Sequence, residues 1–235
     1  MAEQTVQNRE KFRIRISKRA EVGTKKAVLF RAVSVAAAII AGGLFILCIG
    51  YNPFSVYGTI IKGAFSTSMA FQATVKVMIP LLISSLGVTL AFKMKFWNIG
   101  AEGQIIAGAI CASYFALFHA DLPHFLLMII MFVAGIIGGG LYGLIPAFFK
   151  AKFGTNETLF TLMLNYIALY VIVWLRDGAW ADPESGGFPK IARFVSNAQL
   201  DKIGGIQVGW IIGLILTVIV FIYLKYTKHG YEISV

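Results

Sequence analysis

From Ala32 to Ile61 the chain runs for 30 residues without a charged side chain. A helix needs roughly 20 predominantly apolar residues to cross the hydrocarbon core of a bilayer. This run exceeds that length, and further apolar runs follow it. Hydrophobic residues make up 58% of the chain and charged residues 14%, against about 45–50% and 25% in an ordinary soluble protein. These proportions exclude a disordered chain and a soluble globular domain. The expected fold is an all-α integral membrane protein with about six transmembrane helices.

The net charge is +10, which alone suggests an anionic partner. Its distribution argues against nucleic acid and for membrane lipid. Nine of the 21 Lys and Arg lie in residues 1–31, and with three acids beside them that segment carries +6 of the net charge. Residues 1–31 therefore read as a basic cytoplasmic arm held near anionic lipid, each basic residue at the surface contributing about 1 kcal/mol. The arm is too long for a signal peptide, and the apolar run behind it exceeds the usual 7–15 residues or so of such a signal. Residues 32–235 read as one membrane domain.

Six spans are expected: Ala32–Gly50, Val77–Phe92, Gln104–His119, Leu122–Phe149, Thr158–Leu175 and Val208–Leu224. The weakly apolar stretch Pro53–Thr74 reads as a surface helix or a re-entrant segment. The stretch from Arg176 to Gln207 carries Pro183, Pro189 and several glycines and reads as an extramembrane loop. With the N-terminus in the cytoplasm, fifteen basic residues fall inside and six outside. That bias follows the positive-inside rule and places both ends of the chain in the cytoplasm. Lys76 fits least well, since it borders an apolar span and could snorkel.

Gly135, Gly139 and Gly143 recur at every fourth position of the long fourth span. Small residues at that spacing let helix backbones approach closely in lipid. Gly138-x-Gly140-x-x-Gly143 matches a dinucleotide fingerprint by letter only, because no strand precedes it. Pro80 should kink the second span. Cys48 and Cys111 have neither metal-ligand nor disulfide spacing. No ATP-binding loop, catalytic triad or zinc-binding helix is written in the sequence, so neither an enzyme nor a cofactor is expected.

Polar residues concentrate in two segments. In Lys93–Gln104, Asn98 suits a helix cap, with Glu102 in the first turn where the helix dipole favours an anion. Gly100 and Gly103 instead suit an unwound segment beside a transport path. In Gly154–Tyr166, Asn156 suits a cap and Glu157 the first turn of the next helix. Thr158, Thr161 and Asn165 share one face, either as interhelical hydrogen-bonding groups or as part of a path. Asn98, Glu102, Gln104, Asn156, Glu157 and Asn165 are the candidate site residues.

The same segments carry a family resemblance. Phe96–Gln104, F-W-N-I-G-A-E-G-Q, resembles the F-N-I-G-A-E-G-Q stretch of permease subunits of ABC importers for nucleosides and simple sugars. This is the ribose-permease-like family that includes branched-chain amino-acid permeases. Gly154–Tyr170, G-T-N-E-T-L-F-T-L-M-L-N-Y-I-A-L-Y, is similar to a second stretch of that family, and Gly178–Pro189 to its outer loop. The resemblance extends over roughly Ala32–Glu232 and is closest to the nucleoside branch. It implies a larger permease fold, a second permease subunit, a cytoplasmic ATPase subunit that hydrolyses ATP, and an extracellular substrate-binding lipoprotein. Thr227–Ile233 resembles the segment that leads into the family's ATPase-docking loop, so a chain ending at Val235 is expected to be a truncated form lacking that coupling element. Two other functions compete with the permease: a membrane scaffold whose polar residues only join helices, and a lipid-headgroup enzyme using His119, Asp121 and His124.

Overall fold

The computed structural model describes residues 23–234. The arm from Arg9 to Arg19 lies outside the described residues, whereas Lys25, Lys26 and Arg31 stand on the first turns of a helix. Six helices are long and apolar enough to cross a membrane. They are α1 (Thr24–Cys48), α3 (Ser68–Lys93), α4 (Ala101–Phe118), α5 (His124–Phe153), α6 (Glu157–Asp177) and α7 (Gly209–Tyr226). Two shorter helices are α2 (Pro53–Phe65) and α8 (Lys228–Ser234). The expected six crossings of an all-α membrane protein are therefore present.

The chain divides into two units at Gly63. In the first, α1 ends at a turn through Gly50, whose φ of 94° suits glycine. The Asn52 side chain accepts from the Phe54 N–H at 2.9 Å, and Pro53 opens α2, where its missing N–H costs nothing. Tyr57 folds back on α1 and donates to the Ile39 carbonyl at 2.7 Å. A Cβ at Gly42 would stand 2.9 Å from that hydroxyl, so the glycine gives the tyrosine its seat. At 13 residues α2 is about 20 Å long, too short for the hydrocarbon core of about 30 Å.

The second unit begins with a correction. The second span starts at Ser68, nine residues earlier than hydropathy suggests. Thr67 caps it, its Oγ1 accepting from the Ala70 N–H at 3.1 Å. Its polar first turns are satisfied locally: Thr74 Oγ1 lies 3.1 Å from the Ala64 carbonyl and 3.0 Å from that of Ala70. Lys76 is consequently a helical residue of α3, exposed on its surface.

Helix α5 packs most extensively on α4, and α6 packs on α4 as well. The α4–α5 seam is built from small residues. A Cβ at Gly108 would stand 2.8 Å from the Gly135 carbonyl, and one at Gly139 would stand 3.0 Å from that of Gln104. Gly138 lies against Cys111 in the same seam. Lipid tails are as apolar as leucine, so close van der Waals packing rather than burial of large side chains holds such helices together. Helix α7 packs on α3, with Gly213 facing Leu82 and Ile83.

The segment after α6 is more ordered than a plain loop. A bridge joins Ala181 to Ile191, and a 3-10 turn spans Ser196–Ala198. The strands β1 (Lys202–Ile203) and β2 (Ile206–Gln207) form a hairpin turning on Gly204 and Gly205, both at positive φ. Trp180 and Ala198 are the buried residues of this segment, and Ala198 packs with Ala116 and Leu127. Asn197 Nδ2 donates to the carbonyls of Ala120 and Leu122. His124 Nδ1 donates to the Asn197 carbonyl at 2.8 Å, and its Nε2 lies 3.5 Å from Asp201. The expected cluster of His119, Asp121 and His124 does not form. His124 turns to the loop, and His119 lies against the rings of Tyr114 and Phe115. Of the three residues that motivated a headgroup enzyme, His124 is therefore a loop fastening.

Candidate functional site

Helices α3 and α5 end, and α4 and α6 begin, at the end of the bundle opposite the β1–β2 hairpin. Both polar motifs meet there. The connection from α3 to α4 turns at Lys95, whose φ is 56°. Asn98 follows it, and its Oδ1 accepts from the Gly100 N–H at 2.8 Å. Asn98 does not cap α4. Gly100 occupies the cap position and has no side chain to offer. The cap comes from another helix: Asn165 of α6 accepts from the Gly103 N–H at 2.7 Å and donates to the Ile99 carbonyl at 2.9 Å. One amide thus satisfies an orphan donor in the first turn of α4 and a carbonyl of the loop before it.

Thr161 stands one turn earlier on α6. Its Oγ1 accepts from the Ile99 N–H at 3.2 Å and donates to the Thr158 carbonyl at 3.2 Å. Thr161 is 1% exposed and Asn165 7%. The fit requires glycine on α4. A Cβ at Gly103 would stand 2.7 Å from Asn165 Oδ1, and one at Gly100 would stand 2.8 Å from the Thr161 Cβ. The glycines that suggest an unwound segment in the sequence act here as contact points for α6.

Gln104 joins the same cluster. Its Oε1 accepts from Asn98 Nδ2 at 3.3 Å. Its side chain lies over Gly143 of α5, where a Cβ would meet it at 3.3 Å. Gly135, Gly139 and Gly143 therefore all face α4, with Gly143 nearest the polar cluster. Asn156 caps α6, accepting from the N–H groups of Thr158 at 3.0 Å and Leu159 at 3.2 Å.

Glu157 pairs with Lys150 of α5 at 2.7 Å. The Lys150 ammonium also stands 5.0 Å above the Phe96 ring, tying the end of α5 to both motifs. Glu102 is the odd member. It is exposed in the first turn of α4 and makes no ion pair or hydrogen bond among the described residues. The structure thus brings Asn98, Gln104 and Asn165 together, sets Asn156 and Glu157 beside them, and leaves Glu102 on another face. Lys150 was missed as the partner of Glu157, and Phe96 as the ring beneath the Lys150 ammonium, although Lys150 borders one motif and Phe96 opens the other. Tyr142 was also missed. It donates to the Leu164 carbonyl of α6 at 2.7 Å, and a hydroxyl in the apolar middle of α5 was its signal.

Six membrane-crossing helices, a glycine-lined seam and two interlocked polar motifs define a multi-pass membrane protein. Comparison with known proteins identifies its family. Residues 69–235 match the branched-chain amino acid transport system permease component family, and the chain belongs to that family. It is 28% identical over 219 residues to the nucleoside ABC transporter permease protein NupB of Lactococcus lactis subsp. cremoris, an alignment covering 89% of this chain and 60% of NupB. It is 26% identical to the glucose ABC transporter permease protein TsgB13 of Haloferax volcanii, covering 86% of this chain and 56% of that protein. It is 27% identical to the guanosine ABC transporter permease protein NupP of Bacillus subtilis, covering 88% and 60% respectively. The chain spans 56–60% of the length of these relatives. No solved structure matches it significantly.

Proposed function

We propose that the chain is the membrane-spanning permease subunit of an ATP-driven importer for nucleosides or simple sugars. The observation that carries this reading is the family match over both motifs, joined to relatives named for nucleoside, guanosine and glucose transport. In this reading the end bearing the hairpin faces outward and the motif end faces the cytoplasm, as do both termini, because the basic residues then follow the positive-inside rule. A second permease subunit completes the path, a cytoplasmic ATPase subunit drives it, and an extracellular lipoprotein delivers substrate. The six motif residues stand at the cytoplasmic mouth. Asn98, Gln104, Asn156 and Asn165 hold its frame, Glu157 anchors it to Lys150, and Glu102 presents free charge.

The test is uptake of labelled adenosine, guanosine, uridine and ribose by a strain deleted for the gene and complemented with its whole reading frame, as wild type or as the Asn98→Ala/Glu102→Ala double variant. Wild type should restore uptake of at least one compound, and the double variant should not. A second reading has one observation in its favour: every amide of the cluster is spent on the chain's own groups, as in a scaffold that only joins helices. If the double variant supports full uptake, the motif residues are packing groups. If the complemented strain gains no uptake at all while the protein reaches the membrane, the scaffold reading replaces the permease.

A further inference from the structure

We infer that the groove between α5, the segment 193–200 and α7 is a binding site for one anionic phospholipid. The groove encloses about 870 Å³ at the hairpin end of the bundle. Its walls are apolar: Phe125, Met128, Ile129 and Phe132 of α5, Phe194 of the loop and Ile212 of α7. From Phe125 to Phe132 it follows α5 for about 10 Å. Helix α5 begins at His124, so this depth runs from the level of the lipid headgroups into the hydrocarbon. Phe125 is 77% exposed at its mouth.

The polar edge of the groove is made by Arg193, Gln199 and Gln207. Arg193 makes no ion pair or hydrogen bond among the described residues, and two acids of the same segment have partners of their own. Asp182 faces Lys190 at 3.7 Å and Asp201 faces His124 at 3.5 Å. Gln199 donates its amide to the Phe194 carbonyl at 2.9 Å, leaving its carbonyl oxygen to accept a bond. A free guanidinium above an apolar slot matches a lipid phosphate over an acyl chain, with the glutamine oxygen suited to a headgroup hydroxyl. A soluble phosphate would satisfy Arg193 but leave the apolar walls unused. A zwitterionic lipid brings its own cation to the same place.

The test is native mass spectrometry of the full chain titrated with phosphatidylglycerol or with phosphatidylcholine of identical chains. Wild type should retain one phosphatidylglycerol with about fivefold preference over phosphatidylcholine, the effect of one basic residue near the surface. Arg193→Gln should lose the preference while still retaining lipid. Met128→Trp should fill the slot and lose both lipids, with the helical circular dichroism unchanged. Inorganic phosphate at the same concentration should displace neither. Equal retention of both lipids by wild type, displacement by phosphate, or a dimer of the chain that Met128→Trp dissociates would each overturn the assignment.

Discussion

Replacing Asn165 with alanine removes the donor to the Ile99 carbonyl and the acceptor for the Gly103 N–H in one step. Both backbone groups are then stranded beside α6, where water has little access. Hydrogen bonds between helices in membranes contribute about 0.6 kcal/mol on average and up to about 1.7, so two of them span roughly 1.2–3.4 kcal/mol. An unsatisfied buried group costs about 1–3 kcal/mol, which places the expected loss in the upper half of that span, near 2–3 kcal/mol. Asn165→Asp keeps an acceptor for Gly103 but turns a carboxylate oxygen on the Ile99 carbonyl, so it should not rescue. Asn156→Ala is the comparison. It removes an exposed cap worth about 1 kcal/mol and touches no other helix. Unfolding by steric trapping in mixed micelles gives the free energies directly. The reasoning fails if Asn165→Ala lies within about 0.5 kcal/mol of wild type, the range of an ordinary surface change, or costs no more than Asn156→Ala.

Three further outcomes are expected. Gly108→Leu should separate α4 from α5, because even a Cβ there meets the Gly135 carbonyl at 2.8 Å, whereas Gly140→Leu has open space around it and should be neutral; disulfide crosslinking between cysteines placed on α4 and α5 reads the difference. Lys150→Glu and Glu157→Lys should each reduce uptake, and the exchanged pair should recover part of it, since the two side chains meet at 2.7 Å. Asn197→Ala should release the loop from the ends of α4 and α5, seen as faster proteolysis between Gly178 and Gln207 in reconstituted protein.

The spans were readable because hydrophobic runs of this length leave few alternatives in a bilayer. The error at α3 has a specific cause. Ser68, Gln72, Thr74 and Lys76 dilute hydropathy over the first turns, yet each of the first three bonds within the protein: Gln72 with Ser68 at 3.4 Å and the Gly204 carbonyl at 3.3 Å, and Thr74 with its own helix. Hydropathy counts a side chain's polarity and not its partner. The same limit governs the motif residues. Thr158, Thr161 and Asn165 could be placed on one face of a helix, but the partner of Asn165 lies 62 residues earlier. The choice of Gly100 over Asn98 as the cap of α4 follows from α6, so no local rule around Asn98 could have found it. The small-residue spacing of α5 was legible, whereas its facing partner, Gly108 of α4, was not.

The borrowed cap also has a consequence for biogenesis. Gly103 leaves the ribosome 62 residues before Asn165. At about 5–20 residues per second, α4 exists for roughly 3–12 s before its capping group is made. During that interval α4 and α5 can already form their glycine seam, yet the start of α4 must draw its hydrogen bonds from water or from the insertion machinery. Only when α6 is made can Asn165 supply the Gly103 N–H and the Ile99 carbonyl with their partners.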